Sequence, residues 1–261
     1  PVRLGRLEEY QVATARMIEA AAAPLVLADR TVRRVLGEAI ARARPRHGCL
    51  LLSELPAAHG EPWSRAPVDP DELGLVQFSS GTTVDPKPVA LSHRAILAQA
   101  RALNSLWPDA PEVTHSGVSW LPLYHDMGLI GFVISALVRP GVVTLLPPEL
   151  FVAKPALWLR AISRYRATIS AAPNFAFGLA TARITDREMK GVDLSSWRIA
   201  LNGAEAISPS VVRAFQARFS RWGFRSEAMT PVYGLSEAAL GVTFSPLERA
   251  PRTSPNPGIS S

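Results

Sequence analysis

The sequence predicts an α/β protein with parallel-rich β-sheets flanked by helices, and two observations carry that prediction. Short apolar runs bounded by Pro, Gly or Asp alternate with longer runs of helical periodicity, the pattern of strand–helix–strand units. The segments richest in small, hydroxyl and ionisable residues, 79–88, 122–128, 202–206 and 233–237, each follow an apolar run. Ligands on such folds gather at the carboxyl ends of the strands, which makes these four loops the expected site.

Each element has a local reason. "RLEEYQVATARMIEAAAA" combines helical periodicity with strong helix formers, and "TVRRVLGEAIARAR" reads as a second helix. "PLVLAD" is a short strand, and "GCLLLSEL" reads as a buried strand holding a buried thiol, Cys49. Residues 56–72 contain four prolines and a glycine and form a connector. "LGLVQFS" and "PVALS" are strands on either side of the loop 79–88, and Ser92 can cap the helix "HRAILAQARALNSLW". "GVSWLPL", "VVTLLP", "ATISAAP" and "WRIALNG" are further strands, with helices at "ALWLRAISRYR" and "NFAFGLATARI". "MGLIGFVISALV" (127–138) reads as a core helix. "SPSVVRAFQARFSRWG" is a helix with Ser208 as cap, Pro209 in the first turn and Gly223 as terminator. The tail "SPLERAPRTSPNPGISS" carries four prolines and four serines and reads as loop.

Bulk properties narrow the function. With 261 residues, 48% of them hydrophobic, the chain can bury a sizeable core. The net charge of +6 comes from scattered arginines, with only "RTVRR" and "RARPR" as short clusters. These read as solvated helix faces rather than a nucleic-acid surface, and a polyanionic small molecule suits the mild positive field. The single cysteine excludes an intramolecular disulfide and fits a reducing, cytoplasmic compartment. No two of the five histidines stand at helical ligand spacing, no signal peptide opens the chain, and the longest apolar run is too short to span a membrane.

The loop "FSSGTTVDPKP" joins four hydroxyls, Ser79, Ser80, Thr82 and Thr83, to Gly81 and Lys87. The spacing from Gly81 to Lys87 equals that of a nucleotide-hydrolase phosphate loop, but Pro86 and Pro88 stand where that loop needs glycine and a hydroxyl residue. Pro86 lacks an N–H and Pro88 pushes Lys87 towards extended geometry. What remains is either a phosphate clamp between two strands or a Ser/Thr-rich turn with a solvated lysine. "PVYGLSEAAL" (231–240) offers Tyr233 for stacking, Gly234, Ser236 for hydrogen bonding and Glu237 for a hard cation. It also lies one residue away from the G-x-S-x-G nucleophile elbow, but no histidine follows residue 125 to complete the Ser–acid–His order. In "NGAEAI", Gly203 and Ala204 present a surface on which a planar ring can lie. In "SWLPLYHDMGLIG", His125 and Asp126 form either an acid–base pair or the polar rim of an apolar channel.

Taken in one order, "FSSGTTVDPKPVALSHR", "WLPLYHDMGLIG", "PNFAF…LSSWRIALNGAEAI" and "PVYGLSEAALGV" resemble the adenylate-forming (AMP-binding) enzymes. The second and third are most similar to the fatty-acyl-AMP ligase branch. The resemblance implies ATP-dependent conversion of a fatty acid to fatty-acyl-AMP and pyrophosphate, with Mg2+, and transfer to an acyl carrier protein or polyketide synthase. It implies that Ser79–Lys87 hold the β- and γ-phosphates, and that Tyr233, Gly203 and Ala204 sandwich adenine with Glu205 nearby. It further implies Ser236 at the α-phosphate, Glu237 on Mg2+, and His125, Asp126, Met127, Asn174 and Phe175 at the acyl pocket, with 127–138 and "PNFAF" along an alkyl tunnel. Lys87, Tyr233 and Glu237 must then meet at one spot.

There are departures. Val84 and Pro88 stand where the family carries glycine, which stiffens the loop and implies weak or slow ATP use. The family's ribose-binding Asp, its hinge and its small C-terminal domain with the catalytic lysine have no counterpart, nor does the start of the large domain. Residues 1–245 are therefore expected to form part of an adenylation domain, with 246–261 as a tail, in an internal fragment of poor activity by itself. A fatty-acyl-CoA ligase and a non-catalytic lipid- or nucleotide-binding module of the same fold stay open.

Overall fold

The computed structural model describes residues 7–55, 67–79, 87–107 and 114–247. They fall into two compact units, Pro1–His93 and Arg94–Ser261.

In the first unit, helix α1 (Leu7–Ala20) lies along α2 (Arg30–Ala43), and Gln11 Nε2 donates to the Val35 carbonyl at 2.9 Å. Asp29 caps α2 by accepting from the Val32 amide at 2.7 Å. Between the helices runs strand β1 (Val26–Ala28), paired in parallel with β2 (Cys49–Leu51). Arg30, Arg33 and Arg34 are exposed, which matches a solvated helix face. The expectation of a buried strand with a buried thiol does not hold. Strand β2 is three residues long, Cys49 is half-buried, and Leu50 and Leu52 are exposed. A two-stranded sheet has too little surface to cover both faces of such a run. Strands β3 (Leu73–Ser79) and β4 (Lys87–Ser92) form an antiparallel pair in which Ser79 stands opposite Lys87. Pro88 is tolerated because β4 has one strand partner among the described residues. The clamp residues Ser80, Gly81, Thr82 and Thr83, with Val84 and Pro86, lie outside the described residues, as does the Ser79 side chain.

In the second unit, α3 (His93–Leu106) precedes β5 (Ser116–Ser119). The stretch 126–138 is not one regular helix. Helix α4 (Asp126–Gly128) passes into a π-helix (Leu129–Ile134) and then α5 (Ser135–Val138). Ser135 Oγ and its amide both reach the carbonyl of Ile130, five residues back, which holds the wider turn. Leu137 is 75% exposed, so this stretch is core on one side only.

Next come β6 (Val142–Leu145), α6 (Pro148–Ala153), α7 (Ala156–Arg164), β7 (Ile169–Pro173), α8 (Asn174–Arg183), β8 (Ile199–Gly203), α9 (Pro209–Phe219), β9 (Met229–Leu235) and β10 (Leu240–Phe244). Ser208 precedes α9, but its hydroxyl pairs with Ser210 Oγ at 2.8 Å and gives no side-chain cap. Gly223 ends the following 3-10 turn at φ 84°, the left-handed conformation expected of a terminator.

Six strands make one sheet in the order β10-β9-β8-β7-β5-β6, parallel throughout except for β10. Side chains alternate between its two faces. One face, with Ser170 and Ala200, packs against α7, α8 and α9 around fully buried Trp158, Phe177, Trp197 and Phe215. The rings of Trp158 and Trp197 meet edge-on at 5.2 Å, and Phe177 meets Phe215 at 5.0 Å. Trp158 Nε1 donates to Ser170 Oγ at 2.8 Å, and that hydroxyl donates to the Val118 carbonyl at 2.6 Å, so the indole is buried without an orphaned donor. The opposite face, with Ile169 and Leu201, meets Leu103 and Trp107 of the α3 segment.

Trp197→Ala should lower stability by about 3–5 kcal/mol, as emptied aromatic sites do. Leu137→Gln should stay within ~0.5 kcal/mol of wild type, as exposed sites do. Denaturant midpoints of the two variants test this, and equal shifts would contradict the assigned core.

Candidate functional site

Because β5, β7, β8 and β9 run in parallel, the segments that follow them leave the same edge of the sheet. After β5 the chain turns at Pro122 and enters α4 at His125. A Cβ on Gly128 would lie 2.4 Å from the Pro122 carbonyl oxygen, so only glycine lets the chain double back here.

The turn delivers a carboxylate into the interior. Asp126 is 4% exposed. One of its oxygens lies 2.7 Å from His125 Nδ1 and accepts from the Met127 amide at 2.6 Å. The other accepts from Ser236 Oγ at 2.5 Å, across 110 residues of sequence. The Met127 amide is also 3.3 Å from His125 Nδ1, but that nitrogen faces the carboxylate at the shorter distance and is assigned the proton. Burial opposes ionisation of Asp126. The hydrogen bonds from His125 and Ser236, the imidazole charge and the Met127 amide outweigh it and hold the carboxyl below the usual range. For His125, the hydrogen bond to Asp126 outweighs partial burial and lifts the imidazole above its ordinary value. Ser236 has a single hydroxyl proton and gives it to Asp126.

Strand β8 ends at Gly203, and Ala204 follows at φ 67°, a left-handed conformation that a non-glycine residue adopts only under constraint. Glu205 Oε1 accepts from the Phe175 amide at 2.5 Å, placing the carboxylate at the start of α8. Asn174 and Asn202 are both buried; Asn174 Oδ1 lies 3.5 Å from Asn202 Nδ2 and accepts from the Ser208 amide at 3.3 Å. Asn174 thus holds the loop 204–208.

Strand β9 carries Tyr233, 61% exposed, and passes through a 3-10 turn, Ser236–Ala238, directly into β10. The nucleophile elbow needs strand–turn–helix, so this strand–turn–strand removes the context for a hydrolase. A Cβ on Gly234 would lie 2.0 Å from the Leu240 carbonyl oxygen, which fixes glycine there. Glu237 is exposed in the turn.

These segments surround a cavity of about 200 Å³. His125, Asp126, Ala204, Tyr233, Gly234 and Ser236 border it on the polar side. Leu103, Trp107, Phe132, Ile169, Leu240 and Phe244 supply its apolar lining. Met127 also lines it, whereas Asn174, Phe175, Gly203, Glu205 and Glu237 do not. The "PNFAF" segment therefore does not line this cavity: Ala176 and Phe177 are core, and Phe175 is exposed with its ring edge on Trp120. Lys87 belongs to the first unit, and Tyr233 and Glu237 to the second. The sequence did not point to Leu103 of α3 or to Trp107 just after it. Their only signal was helical spacing, which marks an apolar face without saying what it faces.

Among the described residues no three His, Cys, Asp or Glu side chains gather as a metal cluster, and no helix is long and apolar enough to cross a membrane.

The AMP-binding enzyme family model matches residues 11–260, and the chain belongs to that family. It is 39% identical over 175 residues to a medium-chain-fatty-acid acyl-carrier-protein ligase, TtuA, of Teredinibacter turnerae, covering 67% of this chain and 27% of that protein. It is 38% identical over 175 residues to a probable long-chain-fatty-acid–AMP ligase, FadD30, of Mycobacterium tuberculosis, covering 65% of this chain and 30% of that one. A fatty acyl-adenylate ligase from L. pneumophila, solved with acyl adenylate and pyrophosphate, matches with a TM-score of 0.83 at 29% identity, over 93% of this chain and 42% of its own. The chain spans less than half the length of these relatives.

The His125–Asp126 pair makes a titration prediction. A raised imidazole contributes stability that is complete below the unfolded value of about 6.5 and is lost as pH climbs through the folded value. The lowered carboxyl contributes above about 3.9 and loses its share as pH falls through its folded value. Asp126→Asn weakens the hydrogen bond and removes the charge that together raise His125, so the imidazole should titrate lower in the variant. NMR titration of the ring nitrogens measures this, and an unmoved midpoint would refute the pairing.

Proposed function

We propose that this chain is part of an enzyme that activates a fatty acid with ATP, forming fatty-acyl-AMP and pyrophosphate, and passes the acyl group to an acyl carrier protein or polyketide synthase. The supporting observation is one cavity with a polar border at the strand ends and an apolar lining beneath it. A fatty acid needs that pairing, with its carboxylate among polar groups and its alkyl chain away from water. Each buried methylene contributes roughly 0.8 kcal/mol, so the chain is held without polar contacts.

In this reading a carboxylate oxygen attacks the α-phosphorus and the bond to pyrophosphate breaks. Charge moves onto phosphoryl oxygens, and positioned donors and cations stabilise it. His125, favoured in its charged form by Asp126, attracts the substrate carboxylate to the border of the cavity. Tyr233 offers its face to adenine, with Ala204 and Gly203 as the flat opposing surface. Ser236 reaches the α-phosphate by turning its hydroxyl away from Asp126. The family resemblance assigns the outer phosphates to Ser79, Ser80, Gly81, Thr82, Thr83 and Lys87. Mg2+, if bound, would supply positive charge to offset that of the pyrophosphate. Glu237, an exposed carboxylate that joins no cluster of three ligands among the described residues, suits an ion that takes one carboxylate together with substrate phosphates.

The test is pyrophosphate release by the full-length protein that carries this chain. Release should require both ATP and a fatty acid. Tyr233→Ala should raise KM for ATP about tenfold or more, in line with the ~1–3 kcal/mol of base stacking. Glu237→Gln should raise the Mg2+ needed for half-maximal rate by more than the ~10-fold cost of losing even an outer-shell partner. Absence of fatty-acid-dependent release overturns the reading. Transfer to CoA in preference to holo-acyl carrier protein would replace it with a fatty-acyl-CoA ligase.

A further inference from the structure

The apolar lining of the cavity has a second space behind it. This second cavity, of about 340 Å³, is bordered by Asn104, His115, Gly117, Arg139 and Val143 among others. The two cavities share Trp107, Gly131, Phe132 and Ile169 in their walls. Phe132 is buried, and its ring atoms Cδ1 and Cε1 each lie 3.2 Å from where a Cβ on Gly117 would sit. Gly117 borders the second cavity and not the first. The ring therefore stands between the two spaces, its edge filling room that a side chain at position 117 would take. Phe132 owes this placement to the π-helix, whose shifted register turns Gly131 and Phe132 together towards both cavities.

The first cavity, at about 200 Å³, is smaller than the ~300–1,000 Å³ typical of pockets for drug-sized ligands. A long alkyl chain that continued into the second cavity would have to pass the shared wall that holds Phe132. We propose that Phe132 is the chain-length stop of this site. The terminal methyl of a medium, straight-chain fatty acyl group ends against its ring, and the second cavity is closed to longer chains. Gly131 works with it from the first side, since a Cβ there would lie 3.1 Å from Leu240 Cδ2 and narrow the same space. This inference rests on the fatty-acid reading above and adds to it a substrate class and a specificity-determining residue.

The experiment compares kcat/KM of pyrophosphate release for octanoate and hexadecanoate, using the full-length protein that carries this chain. Wild type should prefer octanoate. Phe132→Ala should raise the hexadecanoate-to-octanoate ratio about tenfold or more, because apolar pockets discriminate roughly 10–200-fold per methylene-sized change. Phe132→Leu, kept in case the alanine variant fails to fold, should move the ratio the same way by less. Gly131→Val should move it the opposite way. A general loss of stability slows both acids alike and cannot produce shifts of opposite sign. A wild-type preference for hexadecanoate, or a ratio that neither position moves, overturns the stop while leaving fatty-acid activation standing. No release with either acid in wild type overturns both.

Discussion

The constraint on which the site depends is the parallel register of β5, β7, β8 and β9. In a parallel sheet every strand ends at the same edge, so the segments after residues 119, 173, 203 and 235 emerge side by side although they are far apart in sequence. The aromatic core packs beneath these strands. Trp158 and Ser170 link α7 to β7 and on to the Val118 carbonyl of β5. Glycines at 128 and 234 mark where backbone comes too close for a side chain, so the turns at this edge are defined by packing.

Within that frame, Asp126 joins two of the emerging segments. A buried carboxylate is unfavourable alone, and here it collects a hydroxyl, an imidazole and an amide. The arrangement couples the turn after β9 to the head of α4. Ser236 is held by the carboxylate that also raises the imidazole of His125, so a change in the hydroxyl's partner alters the surroundings of the histidine. His125, Asp126 and Ser236 thus form one hydrogen-bonded network at the border of the cavity.

The cavity shows how two periodicities meet. Ile169, Ala171 and Leu201 project from one face of the sheet at period two, while Leu103 and Trp107 come from the α3 segment. Between Asp126 and Phe132 the helix departs from the α register, and that departure brings a glycine and an aromatic ring to the apolar wall. Ala204 in a left-handed conformation and Asn174 reaching Ser208 hold the loop after β8 at its border.

Short-range patterning determined much of this protein. Strand–helix alternation, the turn at Pro122, the terminator at Gly223 and the loops at strand ends all follow from backbone preferences that act within a few residues. For the same reason the sequence could mark His125, Asp126, Tyr233 and Ser236 as candidates by their neighbours, and all four border one cavity. It could not tell that Phe175 is exposed, that "GCLLLSEL" stays partly exposed, or that the stretch 126–138 shifts into a π-helix over Leu129–Ile134. Nor could it tell that Asp126 takes its second partner from Ser236. Those outcomes were decided by tertiary structure, because the partner of a buried charge, the burial of an apolar run and the space behind Phe132 depend on which distant segments fill the same volume.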